Sequence, residues 1–250
     1  MKLNFMQCWN GAMALLGAHK EAILAIAGVF LFLPALLFAQ FVDQPIVNGD
    51  ENMDALAAIY SAYFNENYLS IIVSNLAMAI GSLAIVFSLA PSRDNTVAEN
   101  LSAALAAFLF YLMANILSVL VILPGMILFV IPGLYLACRF ILVPVVIAEE
   151  GERHPVALLK RSWAVTKDNG FSILFFLLII VIVGAIAAGA VQILIGIVAG
   201  LFTGGLGWPF IENLVAAITN TALQLVVIAI YVSIYMELTS KQADVKGIVN

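Results

Sequence analysis

One basic side chain of this 250-residue chain, Arg139, lies inside an apolar run, where its charge is costly. A guanidinium pairs with phosphate through two parallel hydrogen bonds, so its natural anionic ligand would be a phosphorylated headgroup or a phosphodiester. Arg139 stands nine positions before the inner end of its run, roughly 13 Å at 1.5 Å per residue. That is near the reach of a snorkelling arginine. Its alternative partners are the polar side chains expected at similar depth, Asn115, Gln224 and Gln192. Two roles follow from the residue type: an arginine that knits helices together or reaches headgroups, and an arginine that binds an anion in an inward-facing cavity.

The densest charged stretch comes shortly after it. Glu149, Glu150, Glu152, Arg153 and His154 lead into a segment carrying Lys160, Arg161, Trp163 and Lys167. One reading is a solvated loop that marks the inner side. The other is recognition of anionic lipid or of a cytoplasmic partner, since four cations at about 1 kcal/mol each suffice to dock a helix on an anionic leaflet. The candidate headgroup-binding set is therefore Arg139, Arg153, Lys160, Arg161 and Trp163.

Other chemistries find no candidates. A Gly-rich phosphate loop with its Lys-Ser/Thr is absent. His19 and His154 have no metal-ligand spacing, and Cys8 and Cys138 are too far apart for a disulfide or a metal pair to be expected. Carboxylates hardly occur inside the apolar runs; Glu212 and Glu237 stand at the two ends of the last one. A proton- or sodium-driven carrier usually places acids within the membrane. The expectation is a protein without catalytic residues, metal or cofactor.

The elements that must position these residues are set by composition. Hydrophobic residues make up 64% and charged residues 10%, with a mean hydropathy of +1.11. So little charge cannot keep a 250-residue surface in water, so lipid must be its solvent. About 20 helical residues cross a bilayer core. Six runs qualify, at about 22–42, 69–90, 101–122, 126–148, 171–196 and 213–236. Lys2, Lys20, Arg93, the 153–167 cations, Lys241 and Lys246 all fall on alternate sides of these runs, while 43–68, 123–125 and 201–212 carry no Lys or Arg. The positive-inside rule then gives six crossings with both termini in the cytoplasm. A net charge of -5 makes nucleic acid an unsuitable partner.

Within the runs, Leu123-Pro124-Gly125 predicts a tight hairpin turn, and Pro132-Gly133 predicts a kink in the fourth crossing. The kink serves packing or, as in transporters, the wall of a substrate site. Gly196, Gly200 and Gly204 share a helix face that suits close helix packing, within one chain or between chains. Residues 3–16 and 155–168 pattern as amphipathic interfacial helices, and Met53, Leu56, Tyr60 and Phe64 suggest a third on the outer side.

The run Ile131-Pro132-Gly133-Leu134-Tyr135, Arg139-Phe140, Val143-Pro144-Val145-Val146, Glu149-Glu150, Leu159-Lys160-Arg161-Ser162-Trp163 and Thr166-Lys167 resembles a known family. It is similar to the membrane domain attached to some bacterial glycerophosphodiester phosphodiesterases, and to related stand-alone six-helix inner-membrane proteins. The resemblance covers about 100–172 and implies fold and inner-membrane location, not a reaction. No stretch here is long enough for the soluble domain that hydrolyses glycerophosphodiesters. The expectation is an all-α polytopic membrane protein, non-enzymatic, that binds phospholipid headgroups or organises a partner. Its partners would be membrane lipids, a second copy or another membrane protein. The alternative is a small-solute or lipid transporter with a cavity reaching Arg139.

Overall fold

In the computed structural model, residues 3–47, 49, 51–92, 95–203 and 208–249 are described, with side chains as far as Lys241. Among them there is no strand. The helices are α1 (Phe5–Ala18), α2 (Lys20–Ala27), a π-helical turn (Gly28–Phe32), α3 (Leu33–Phe41), α4 (Met53–Leu89), α5 (Val97–Leu128), α6 (Val130–Phe140), α7 (Val143–Glu150), α8 (Pro155–Val165), α9 (Gly170–Thr203) and α10 (Pro209–Val249). Six stretches are long and apolar enough to span a bilayer: Lys20–Phe41, Met53–Leu89, Val97–Leu128, Val130–Glu150, Gly170–Thr203 and Pro209–Lys241. This is the all-α polytopic fold that the hydropathy pattern predicts. The Asn4 N–H donates to Glu237 Oε1 at 2.8 Å, so the start of α1 and the end of the last crossing share one face.

Local chemistry explains most boundaries. Asn52 caps α4 by accepting from the Ala55 N–H, and Thr96 with Glu99 forms a capping box on α5. Gly151 ends α7 in the left-handed region at φ 67°, where a Cβ would be strained. In the first crossing Pro34 lacks the N–H that would bond to Phe30, and the helix widens into the π-helical turn, with the Leu33 N–H reaching Gly28 O.

Three expectations are corrected. The hairpin does not turn at Leu123–Gly125: α5 runs through Pro124, and the chain reverses at Phe129, which is extended at φ −156°. Pro-Gly is a turn signal in water, but helix keeps backbone groups bonded where lipid offers no partners. Gly125 serves packing instead, since a Cβ there would stand 3.2 Å from Gly133 Cα. Nor is there a kink at Pro132-Gly133. Pro132 is the third residue of α6, where its N–H would be unbonded in any case, and the interruption of this crossing falls at Ile141-Leu142, just before Pro144. Finally, the outer amphipathic segment at 53–64 is not a separate helix. It is the first part of α4, whose 37 residues span roughly 55 Å, well beyond a 30 Å bilayer core.

The core sits toward the face that carries α1 and the end of α10. Leu83–Leu89 of α4, Val145–Ala148 of α7 and Ile228–Ile230 of α10 are buried there, together with Cys8 and Ala12 of α1. Toward the other face the helices present side chains outward, as Ile193, Leu194, Leu201 and Phe202 of α9 do. The helices α1 and α8 thus lie against the tightly packed end, where the polar side chains also gather.

Candidate functional site

The site begins with a broken helix. Pro144 cannot donate to the preceding turn, so α6 stops at Phe140 and α7 starts anew at Val143. The last carbonyls of α6 then need partners from elsewhere. Ser162 of α8, wholly buried, donates its hydroxyl to the Arg139 carbonyl at 2.7 Å. The Thr166 hydroxyl lies 3.5 Å from the same oxygen and 2.8 Å from the Ser162 carbonyl.

The Arg139 side chain repays the contact in the opposite direction. Its Nη2 donates to the Trp163 carbonyl at 2.8 Å, and its Nη1 donates to the Thr166 carbonyl. These are carbonyls of the last turn and C-cap of α8, the negative end of that helix, so a cation belongs there. The guanidinium carbon sits 4.3 Å from the Trp163 ring centroid and 5.9 Å from that of Tyr135. Arg139 is 3% exposed, and its Nε has no hydrogen-bond partner among the described residues. The result is a reciprocal clamp: α8 closes the broken end of α6, and α6 caps α8.

The other candidate residues divide. Trp163 joins Arg139; it also packs on Phe140 at 5.8 Å and keeps 40% of its surface exposed. Arg161 points away and holds Glu150 through its Nε at 2.6 and 2.8 Å. Tyr235 of α10 donates to the same carboxylate at 2.6 Å, so this network ties α7, α8 and α10. Arg153 and Lys160 are exposed and carry no ion pair among the described residues; the Arg153 guanidinium lies 6.0 Å from the Phe110 ring. The mid-membrane partners considered for Arg139 do not bond to it. Asn115 donates to Tyr111 O on its own helix, Gln224 donates to Ser82 Oγ, and Gln192 lines a cavity with Glu212.

A second polar cluster is not foreshadowed by any motif. Glu237 Oε1 accepts from the Asn4 N–H at 2.8 Å and pairs with Lys241, while Oε2 accepts from Cys8 Sγ at 2.7 Å. Burial, reinforced by this bond to a carboxylate, pushes the Cys8 thiol far above its ordinary range, so it stays protonated as a donor. Next to it the Leu3 N–H donates to Asn169 Oδ1 at 3.0 Å. Glu237 at a run's end reads in sequence as a water-exposed acid; apart from Lys241 one turn on, its partners stand more than 200 residues away.

Among the described residues a Cβ on Gly196 or Gly200 would meet nothing within 4 Å, so of the two expected uses of this face, packing within one chain is not made there. Gly204 lies outside the described residues. The close approaches are made by single glycines instead: Gly11 on Ser233, Gly81 on Phe30 and Gly184 on Leu223. We therefore expect Gly196→Ala with Gly200→Ala to stabilise the isolated chain, by up to about 1 kcal/mol each through helix propensity. Thermal unfolding in detergent checks this. A lowered melting temperature would mean that another copy's helix packs on that face.

Fold and site together define a six-span, all-α integral membrane protein with two helices pinned at one end of the bundle. Comparison with protein-family models, curated proteins and solved structures gives no match to this chain.

Proposed function

We propose that the protein is a non-enzymatic component of the bacterial inner membrane, with both termini cytoplasmic, whose α8 face binds anionic phospholipid headgroups. One observation carries this reading: the Arg139 head is spent on the α8 carbonyls, which leaves Lys160 and Trp163 exposed on α8 and Arg153 exposed in the loop that leads into it. A tryptophan with flanking cations on a fixed helix is the composition of a headgroup-layer contact. Arg139 is the anchor of that helix and not its ligand-binding residue. Arg161 serves with Glu150 and Tyr235 to hold the same helix.

The resemblance to the membrane domain of glycerophosphodiester phosphodiesterases supports the reading, because the residues that carry it meet in space. Arg139, Ser162, Trp163 and Thr166 form the clamp, and Glu150 with Arg161 braces it. Transport through a cavity at Arg139 is the weaker reading, since this side chain is 3% exposed.

Native mass spectrometry of gently purified protein tests the proposal. With two cations each contributing about 1 kcal/mol, Arg153→Gln with Lys160→Gln should weaken retention of phosphatidylglycerol or cardiolipin by roughly 30-fold. Retention of zwitterionic lipid should not change. An identical anionic-lipid profile in wild type and variant would sink the headgroup assignment.

A further inference from the structure

The start of α1 is held by two neighbouring backbone groups that bond in different directions. The Leu3 N–H donates to Asn169 Oδ1, in the turn between α8 and α9, at 3.0 Å, and the Asn4 N–H donates to Glu237 Oε1 on α10 at 2.8 Å. Asn4 also caps α1, its Oδ1 accepting from the Met6 and Gln7 N–H groups at 3.1 and 3.2 Å. Further along, Cys8 bonds to the second oxygen of Glu237, Gly11 lies on Ser233, and Phe5 stacks on Phe176 of α9 with ring centroids 5.0 Å apart. The helix itself carries no charged residue, and 14 residues make a marginal helix alone. Its order therefore depends on docking, and Glu237, with a side chain only 9% exposed, is the group on which it docks.

The other end of this bridge is a strained turn. Asp168 is left-handed at φ 65°, the one non-glycine residue with positive φ among the described residues. Such a conformation persists where its surroundings impose it. Two bonds of Asn169 close the turn: its N–H donates to Thr166 O at 3.1 Å, and its Nδ2 donates to Lys167 O at 3.2 Å. The Thr166 carbonyl is the same one that accepts from Arg139 Nη1. Asn169 is 5% exposed, so its side-chain amide is oriented by Leu3 on one side and Lys167 on the other.

We propose that α1 is a strap on the clamp: docked on Glu237 it holds Asn169, and through Asn169 the last turn of α8, so that undocking α1 loosens the carbonyls on which Arg139 is seated. The coupling runs both ways, because seated α8 favours docked α1 by as much as docked α1 favours seated α8. It makes no use of what α8 binds, so it stands or falls apart from the headgroup reading.

Hydrogen exchange of the full chain in detergent, read by mass spectrometry, tests the strap. Glu237→Ala removes the acceptor that α1 docks on and lies outside α8. Exchange should rise about tenfold across 5–18 and also across 162–170, the factor expected for one charge-assisted hydrogen bond lost. Leu83–Leu89 of α4 should stay slow. Cys8→Ala, which removes a single donor, should give a smaller rise in both segments, and Cys8→Ser, which keeps a donor, should reverse it in both. In an Asn169→Ala background, Glu237→Ala should still loosen 5–18 and add nothing at 162–170. A rise confined to 5–18 in the single variants would overturn the proposal. So would one that includes Leu83–Leu89, which would make Glu237 a support of the whole bundle. Equal added exchange at 162–170 with and without Asn169 would also overturn it, because the link would not run through that side chain.

Discussion

Arg139→Ala should release α8 from the bundle while the six crossings stay in place. The side chain makes two charge-assisted hydrogen bonds to the α8 terminus and stacks against Trp163. Each such bond is worth about 1.5–3 kcal/mol and the stacked cation about 1–2 kcal/mol. Against this stands the cost of burying the charge, which the variant no longer bears. The net loss is then about 3 kcal/mol, a drop in melting temperature of roughly 6–12 °C for a chain of this size. The loss should be local. Hydrogen exchange ought to rise across 155–169 and remain slow in Ile228–Ile234 of α10, which is buried independently of the clamp. Arg139→Lys keeps the charge and loses the fork, so it should recover only part of the protection. Unchanged exchange at 155–169 in the alanine variant would mean that Ser162, Thr166 and the Glu150 network hold α8 without help.

The same clamp shows which parts of the molecule were legible in the sequence. Apolar runs of about 20 residues have one common explanation, and the six crossings follow from them. Arg139 stands out by charge alone. Its partners do not, because they are backbone carbonyls, which every residue owns, and no side-chain pattern marks Trp163 O or Thr166 O as acceptors. Asn115 and Gln224 had the visible chemistry, yet each is already bonded locally or across to α4. Turn signals misled for a related reason. Pro124-Gly125 would end a helix in water, but here the helix continues and the chain reverses at Phe129. Glycine spacing likewise pointed to 196 and 200, which face open space, while the intimate contacts use isolated glycines chosen by a neighbour's position.

Gly81 carries one of the tightest of those contacts, and its substitution should be strongly damaging in the membrane core. A Cβ on Gly81 would overlap the Cβ of Phe30 and stand 3.4 Å from the Phe30 backbone carbonyl carbon and Cα. Rotating the Phe30 ring cannot relieve this, since a Cβ moves only with its backbone. That backbone belongs to the π-helical turn at Gly28–Phe32, whose position is set by Pro34 four residues on. Gly81→Ala must therefore push the first crossing away from α4 as a unit. Overpacking commonly costs about 1–3 kcal/mol, and a rigid backbone puts this site at or above the upper end. Gly81→Leu should prevent accumulation of folded protein. The origin of the cost fixes the pattern of rescue. Phe30→Ala retains the offending Cβ and should leave Gly81→Ala unrescued, although it removes the whole ring. Phe30→Gly removes that atom and should restore part of the stability, net of its own loss of packing. A double-mutant cycle read by thermal unfolding in detergent separates the two, with a coupling free energy for Gly81→Ala and Phe30→Gly and almost none for Gly81→Ala and Phe30→Ala. Equal rescue by both would show that the ring, not the backbone approach of the π-helical turn, limits what position 81 can hold.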